Sequence, residues 1–342
     1  MTEIGVGLIG YGLAGRAFHA PFVEVTPGLA LRAVVSRDAA KVQADLPDVA
    51  VCPDVPTLLA RDDIGLVIVA SPDDLHAEHA LAALAAGKHL LVDKPFATSL
   101  ADARRVADAA EAAGRLVTIF QNRRWDADFL TLQGLIAEGR LGAVVQFESH
   151  FDRWRPQPAP VWKEARTGGA WLDLGPHLVD QALQLFGLPT AVSADIATLR
   201  VGAPSADYFH VTLKYPDRRA ILHSSKLVAE HSLRFAVHGT GGSWIKHGFD
   251  PQEAASLRGV VPGGEKWGVD SVPGRFTGAD GASDEVAGVP GDYCLFWNAL
   301  AAALRGEGAN PVPPAEAIAV MRVLDAALRS ADLGGEVVLA DA

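Results

Sequence analysis

The sequence predicts an α/β domain over residues 1–122, built on a doubly wound parallel sheet. An α+β domain with a largely antiparallel open sheet follows over residues 123–342. Two observations predict this. Up to about residue 120, short continuous apolar runs alternate with helical stretches, as in strands covered on both faces. From about Val144 the runs lengthen, lie closer together and are joined by turn signals, as in neighbouring antiparallel strands.

In the first part Ile4–Ile9, Leu31–Val35, Leu66–Ala70, Leu90–Val92 and Leu116–Phe120 read as buried strands. Ala77–Ala86 and Ala101–Ala113 read as helices. The second opens at Ser99, whose hydroxyl suits an N-cap, and closes on Gly114. Strand–helix alternation implies right-handed crossovers and a parallel sheet. In the second part the strand candidates are Val144–Arg153, Val192–Arg200, Tyr208–Tyr215, Ala220–Lys226, Leu233–His238 and Ser243–His247. Pro216-Asp217 and Gly239-Thr240-Gly241-Gly242 mark turns. Residues 257–292 are one-third Gly and Pro and read as a loop, with Trp267 and Phe276 as its anchors. Helices return at Tyr293–Leu304 and Pro314–Ala331.

Composition narrows the function. A chain of 342 residues with 49% apolar content holds a sizeable core and is not disordered. A net charge of −11 argues against nucleic acid or an anionic membrane as partner. Cys52 and Cys294 have no metal-ligand spacing, and two thiols suit a reducing compartment. No basic leader precedes the first strand, and no apolar stretch is long enough to span a bilayer. The expected location is the cytoplasm.

Gly10-Tyr11-Gly12-Leu13-Ala14-Gly15 directly follows the first strand. Glycines there permit a tight turn and close backbone approach to a pyrophosphate at a helix N-terminus, the Rossmann arrangement. Gly10, Gly12, Leu13, Ala14 and Gly15 are therefore cofactor-contact candidates. Pro21 is expected to kink or end the helix that follows. The second strand ends at Ser36-Arg37-Asp38. Where an NAD site carries an acid for the ribose, Ser36 and Arg37 offer a hydroxyl and a guanidinium suited to a 2′-phosphate. NADP is expected over NAD, and Asp38 is free to cap the next helix. Ser71, Pro72 and His76 follow the third strand at the ligand-binding end of the sheet. His76 either lines that end or simply opens the next helix.

Asp93-Lys94-Pro95 closes the fourth strand. A lysine there points into the cleft, and burial beside an oxidised nicotinamide would lower its pKa enough to hold or shuttle a proton. Farther on, Asp173 and His177 are four residues apart, on one face of a helix starting near Asp173. Asp180, Gln181 and Gln184 extend the stripe, which on its own would be an ordinary wet face. Beside the dinucleotide turn and Lys94, it reads as a general base, His177, oriented by Asp173. Asn122-Arg123-Arg124-Trp125, Arg153-Trp154-Arg155 and Trp162-Lys163 either bind hydroxyls or the cofactor or form surface ion pairs. Asn122, Arg124, Trp125 and Lys163 are substrate candidates.

These residues resemble the glucose–fructose oxidoreductase/inositol dehydrogenase (Gfo/Idh/MocA) family over essentially the whole chain. The family pattern is a glycine fingerprint, a Glu-Lys-Pro turn and an Asp-x-x-x-His helix; Asp93 stands here for the glutamate. The resemblance implies that Lys94, Asp173 and His177 are the catalytic set, with Asp93 and Trp162 near the cofactor. The family's Trp-Arg pair near the nicotinamide is replaced by Trp162-Lys163. Gly10–Phe22, Gln121–Asp126 and Asp207–His210 are similar to NADP-dependent scyllo-inositol dehydrogenases. That implies hydride transfer between a cyclic polyol or sugar and NADP, without a metal, in a homodimer or homotetramer. A non-catalytic cofactor sensor on the same fold is the rival reading, and the retained Lys94, Asp173 and His177 speak against it.

Overall fold

The computed structural model describes residues 3–159, 164 and 168–339. The chain forms two compact units. The first runs to Asn122 and takes in Gln252–Trp267 and Asp292–Ile318. The second takes Arg123–Pro251, Gly268–Gly291 and the chain from Ala319 onward.

The first unit begins with β1 (Ile4–Ile9), α1 (Ala20–Val25), β2 (Leu29–Val35), α2 (Ala39–Asp45), β3 (Ala50–Cys52) and α3 (Val55–Leu59). It continues with β4 (Leu66–Val69), α4 (His76–Ala85), β5 (His89–Val92), α5 (Leu100–Ala113) and β6 (Val117–Ile119). Among the described residues the strands form a parallel sheet ordered β3-β2-β1-β4-β5-β6. β4 is buried throughout, as its unbroken Leu-Val-Ile-Val run requires of a strand covered on both faces. Ser99 caps α5 by accepting from the Asp102 N–H at 3.1 Å, and Gly114 ends it at φ 59°. The chain makes a π-helical turn over Gly15–His19, and α1 restarts with Pro21 in its first turn, where a missing N–H costs nothing. β3 escaped the sequence reading because three residues are too few to show a period.

The second unit holds α6 (Ala127–Ala137), β7 (Val144–His150), α7 (Gly169–Phe186), β8 (Ala191–Ala197), β9 (Tyr208–Lys214), β10 (Arg219–Ser225), β11 (Leu233–Gly239) and β12 (Gly242–His247). The chain then passes through α8 (Pro251–Leu257), β13 (Gly274–Gly278), β14 (Ser283–Val286), α9 (Cys294–Leu304), α10 (Pro314–Leu333) and β15 (Val337–Val338). The second sheet is ordered β14-β13-β12-β11-β7-β10-β9-β8-β15. Its pairs are antiparallel apart from β7 with β10. Helix α7 covers one face: Trp171 packs on Phe209 with ring centroids 5.0 Å apart, and Phe186 on Phe147 at 5.6 Å. On β9 the alternation of buried Phe209, Val211 and Leu213 with half-exposed His210 and Thr212 follows the two faces.

Two expectations are corrected. The Gly- and Pro-rich stretch is not simply loop: β13 and β14 form within it and extend the sheet. Backbone pairing to the β12 edge overrides weak local propensity there. Helix α7 starts at Gly169, four residues before Asp173. Gly169 has φ 51°, and a Cβ there would lie 2.2 Å from the Ala206 oxygen. Among the described residues no helix is long and apolar enough to cross a membrane.

Candidate active site

In the first unit the glycine turn is built at the carboxyl end of β1. Gly10 has φ 100°, and a Cβ on it would stand 2.5 Å from the Ala70 oxygen. A Cβ on Gly15 would stand 2.2 Å from the Gly10 oxygen, so this turn closes only with glycine at both places. Gly12 differs: a Cβ there would meet nothing within 4 Å. Its backbone faces open space, the feature a pyrophosphate needs for close approach. The residues present therefore fit a dinucleotide.

The Gly10 N–H donates to the Val35 oxygen at 3.1 Å, which sets the end of β2 beside this turn. Ser36 and exposed Arg37 follow directly. Asp38 caps α2, accepting from the Lys41 N–H at 3.0 Å, as expected of it. Lys41 then reaches back to donate to the Tyr11 oxygen at 3.1 Å. That brings a second cation to the glycine turn. Sequence reading missed Lys41, because only the fold of α2 shows which way its first turn faces.

The ends of β4 and β5 are tied together by His76. Its ring nitrogens lie 2.8 Å from the Pro95 oxygen and 3.0 Å from the Ser71 oxygen. Opening α4 and lining the strand ends are thus one role. Ser71 also meets His79 through its hydroxyl, at 3.0 Å. Half-buried Asp93 accepts from the Lys94 N–H at 2.8 Å, and its other oxygen faces the fully buried His19 ring at 3.5 Å. Burial pushes the Asp93 carboxyl upward. The His19 contact outweighs it, helped by the charges of Lys94 and His76, and holds the group below the usual carboxylate range. Asp93 is thus an anion beside Lys94. His19 packs on Phe120 and Trp297, with ring centroids 4.7 and 5.9 Å away. It was not among the sequence candidates.

In the second unit, helical spacing sets Asp173 and His177 on one face of α7, with His177 only 6% exposed. The stripe is dry at Asp180 and Gln181, which are buried, and meets solvent at exposed Gln184. Asp180 accepts a bidentate pair from Arg124 at 2.8 and 2.6 Å. The Gln181 amide donates to the Arg123 oxygen at 2.9 Å and accepts from Arg234 at 2.6 Å. The Arg124 guanidinium is thus engaged within the second unit. Arg123 lies over the Phe151 ring at 4.7 Å, and Trp125 ends the same short turn, which begins at Asn122. Arg153 stacks on Phe151 and Phe249, each 4.5 Å away. Trp162 and Lys163 lie outside the described residues. Arg200 holds Glu164 at 2.6 Å and Asp207 at 2.8 Å, a buried network no local motif announces.

Residues 4–121 match the family described as "Oxidoreductase family, NAD-binding Rossmann fold", and residues 133–339 match its C-terminal alpha/beta domain. The chain belongs to the Gfo/Idh/MocA oxidoreductase family. It is 47% identical over 334 residues to the uncharacterized oxidoreductase YdgJ of Escherichia coli, covering 96% of each chain. It is 37% identical over 338 residues to scyllo-inositol 2-dehydrogenase (NADP(+)) IolW of Bacillus subtilis, covering 96% of this chain and 94% of that one. A Yersinia pestis protein described as an oxidoreductase superposes with a TM-score of 0.96 at 45% identity, over 100% of this chain and 98% of the other. As a family member the chain is an oxidoreductase that takes a nicotinamide cofactor and a small-molecule substrate.

Proposed function

We propose that this oxidoreductase uses NADP to oxidise or reduce a secondary alcohol on a cyclic polyol or sugar of the inositol class. One observation carries the reading. Asp93-Lys94-Pro95 and the glycine turn stand at the same carboxyl edge of one parallel sheet, on β5 and β1, with β4 between. The Gly10–Gly15 turn would hold the pyrophosphate, and Ser36, Arg37 and Lys41 the 2′-phosphate, since each supplies a hydroxyl or a cation beside the turn. Ser71, Pro72 and His76 would line the nicotinamide side. The bound nicotinamide supplies the hydride acceptor or donor.

The protein's own groups handle the proton and the charge. In the oxidative direction His177 takes the hydroxyl proton, and Asp173 on the same helix face orients it. Lys94 stabilises the developing alkoxide, and Asp93 fixes the turn by accepting from the Lys94 backbone N–H. Arg124 serves Asp180, so hydroxyl recognition falls to Asn122, Trp125 and Lys163. The IolW likeness supports the NADP and inositol reading. The half-exposed face of the second sheet and the two free thiols support a cytoplasmic homodimer or homotetramer.

The test is cofactor reduction with both NADP and NAD across a panel of inositol isomers, pyranoses and acyclic polyols. We expect turnover with NADP on a cyclic polyol. Turnover confined to acyclic alcohols would overturn the substrate class, and a preference for NAD would overturn the role of Arg37.

A further inference from the structure

Strand β7 runs on past its last ladder residue: Phe151 donates to His223 and Arg153 to Ser225, each at 2.9 Å, so pairing to β10 continues. Along that line Glu148, His150 and Asp152 occupy every second position and share one face. Parallel pairing sets His223 of β10 directly beside His150, with ring centroids 5.3 Å apart. This is the face of the second sheet opposite α7, away from Asp173 and His177. The Asp152 carboxylate stands between the two imidazoles: Oδ2 is 3.5 Å from His150 Nδ1, and Oδ1 is 3.4 Å from His223 Nε2. One donor atom from each of the three residues lies within 4.8 Å of the others.

We propose that His150, Asp152 and His223 form a binding site for a divalent transition-metal ion of the Zn²⁺, Co²⁺ or Ni²⁺ class. Bond lengths of about 2.0–2.2 Å around a tetrahedral ion put its donors about 3.4 Å apart. Each imidazole already stands at about that distance from one of the two Asp152 oxygens, at 3.5 Å for His150 and 3.4 Å for His223. Two imidazoles with one carboxylate favour these ions over Mg²⁺ or Ca²⁺, which take oxygen donors. The surroundings are those of a built site. His150 Nε2 faces Glu148 Oε2 at 3.1 Å, which turns Nδ1 toward Asp152 as an outer carboxylate does for a metal-bound histidine. Asp152 Oδ1 accepts from the Ser225 N–H at 2.7 Å. The Ser224 hydroxyl donates to the Phe151 oxygen at 2.7 Å and pins the two strand ends together. His210 on β9 pairs across from His223, its ring 5.6 Å away, as a further imidazole at the margin. The three side chains are half-buried or buried and sit on paired strands, so little ordering remains to be done on binding. A divalent ion would balance the charges of Glu148 and Asp152 and cross-link β7 to β10.

Binding is read without turnover, so its failure is distinct from failure of the proposed reaction. The full chain, stripped with a chelator, is titrated with ZnCl₂ by calorimetry and with CoCl₂ by visible absorption. We expect one Zn²⁺ per chain, a rise in unfolding temperature, and Co²⁺ d–d bands of a nitrogen/oxygen site. His150→Ala and His223→Ala should each abolish the saturable phase. Glu148→Gln should weaken it by about 10–100-fold. His238→Ala, a histidine elsewhere on that sheet, should change nothing. Zn²⁺ binding that the His150→Ala/His223→Ala double variant retains would mean adventitious surface binding only and would overturn the proposal. Should those variants not fold, circular dichroism shows it, and the unaltered chain decides: absence of Co²⁺ d–d bands rejects the site.

Discussion

Arg234 is fully buried, and its removal is the sharpest stability test of the second unit. Its Nε donates to Asp128 Oδ2 at 3.1 Å, Nη1 to the Ser149 hydroxyl at 2.7 Å and Nη2 to the Gln181 oxygen at 2.6 Å. The guanidinium also lies 4.0 Å from the Phe235 ring centroid. Burial lowers the guanidinium pKa, and the neighbouring Asp128 and Asp126 oppose that; a guanidinium keeps its charge in a protein. Arg234→Met keeps much of the volume but leaves the Asp128 charge buried without its cation. Breaking a buried pair from one side costs about 3–5 kcal/mol. For a domain of this size that lowers the thermal midpoint by about 10 °C. Replacing both partners, Arg234→Met with Asp128→Leu, removes the stranded charge and should recover most of the loss. Urea and thermal unfolding of the parent, both single variants and the double variant give the coupling. A loss under about 1 kcal/mol for Arg234→Met, or a double variant as unstable as the sum of the singles, would refute the reasoning.

Further outcomes follow from the same geometry. His177→Ala and Lys94→Ala should each lower kcat by about 10²–10⁴-fold with NADP affinity within a few-fold, checked by stopped-flow and cofactor titration. Near-normal turnover in His177→Ala would remove it as the base. Arg37→Ala should weaken NADP by about 10- to 100-fold, as loss of a contact worth about 1.5–3 kcal/mol implies, and leave NAD nearly unchanged. Gly12→Ala places its methyl where the protein has no atom within 4 Å, so unfolding should be unaltered while cofactor affinity falls. Burial works upward on Glu164 and Asp207. On Glu164 the Arg200 guanidinium, helped by Lys226, outweighs it; on Asp207 the Leu199 backbone N–H, then the Arg200 guanidinium and backbone N–H, outweigh it, so both carboxyls lie below their usual values. Depressed carboxyls stabilise the fold above their unfolded pKa values, about 4, and lose that contribution as pH falls through the folded ones. The stability gap between parent and Arg200→Gln should therefore be full at pH 7 and shrink below about pH 4.5. A gap independent of pH would count against the network.

What was legible in the sequence was what neighbours in the chain decide. β1 matches its apolar run residue for residue, Ser99 and Gly114 bound α5 by local capping, and Gly10 is glycine because a left-handed turn excludes other residues. The Asp173–His177 spacing needs only 3.6 residues per turn to place both on one face. The rest depended on partners far along the chain. Whether Asp180 and Gln181 meet water or cations was open until Arg124 and Arg234 came to them from other elements, 56 and 53 residues away. β13 and β14 exist because an edge strand offered backbone partners to a Gly-rich segment with little strand tendency of its own. His223 meets His150 and Asp152 only through the parallel register of β10 on β7, which no period in either strand encodes. Local propensity acts over one turn or one pleat, whereas charge pairing and strand register are settled when distant segments are packed together.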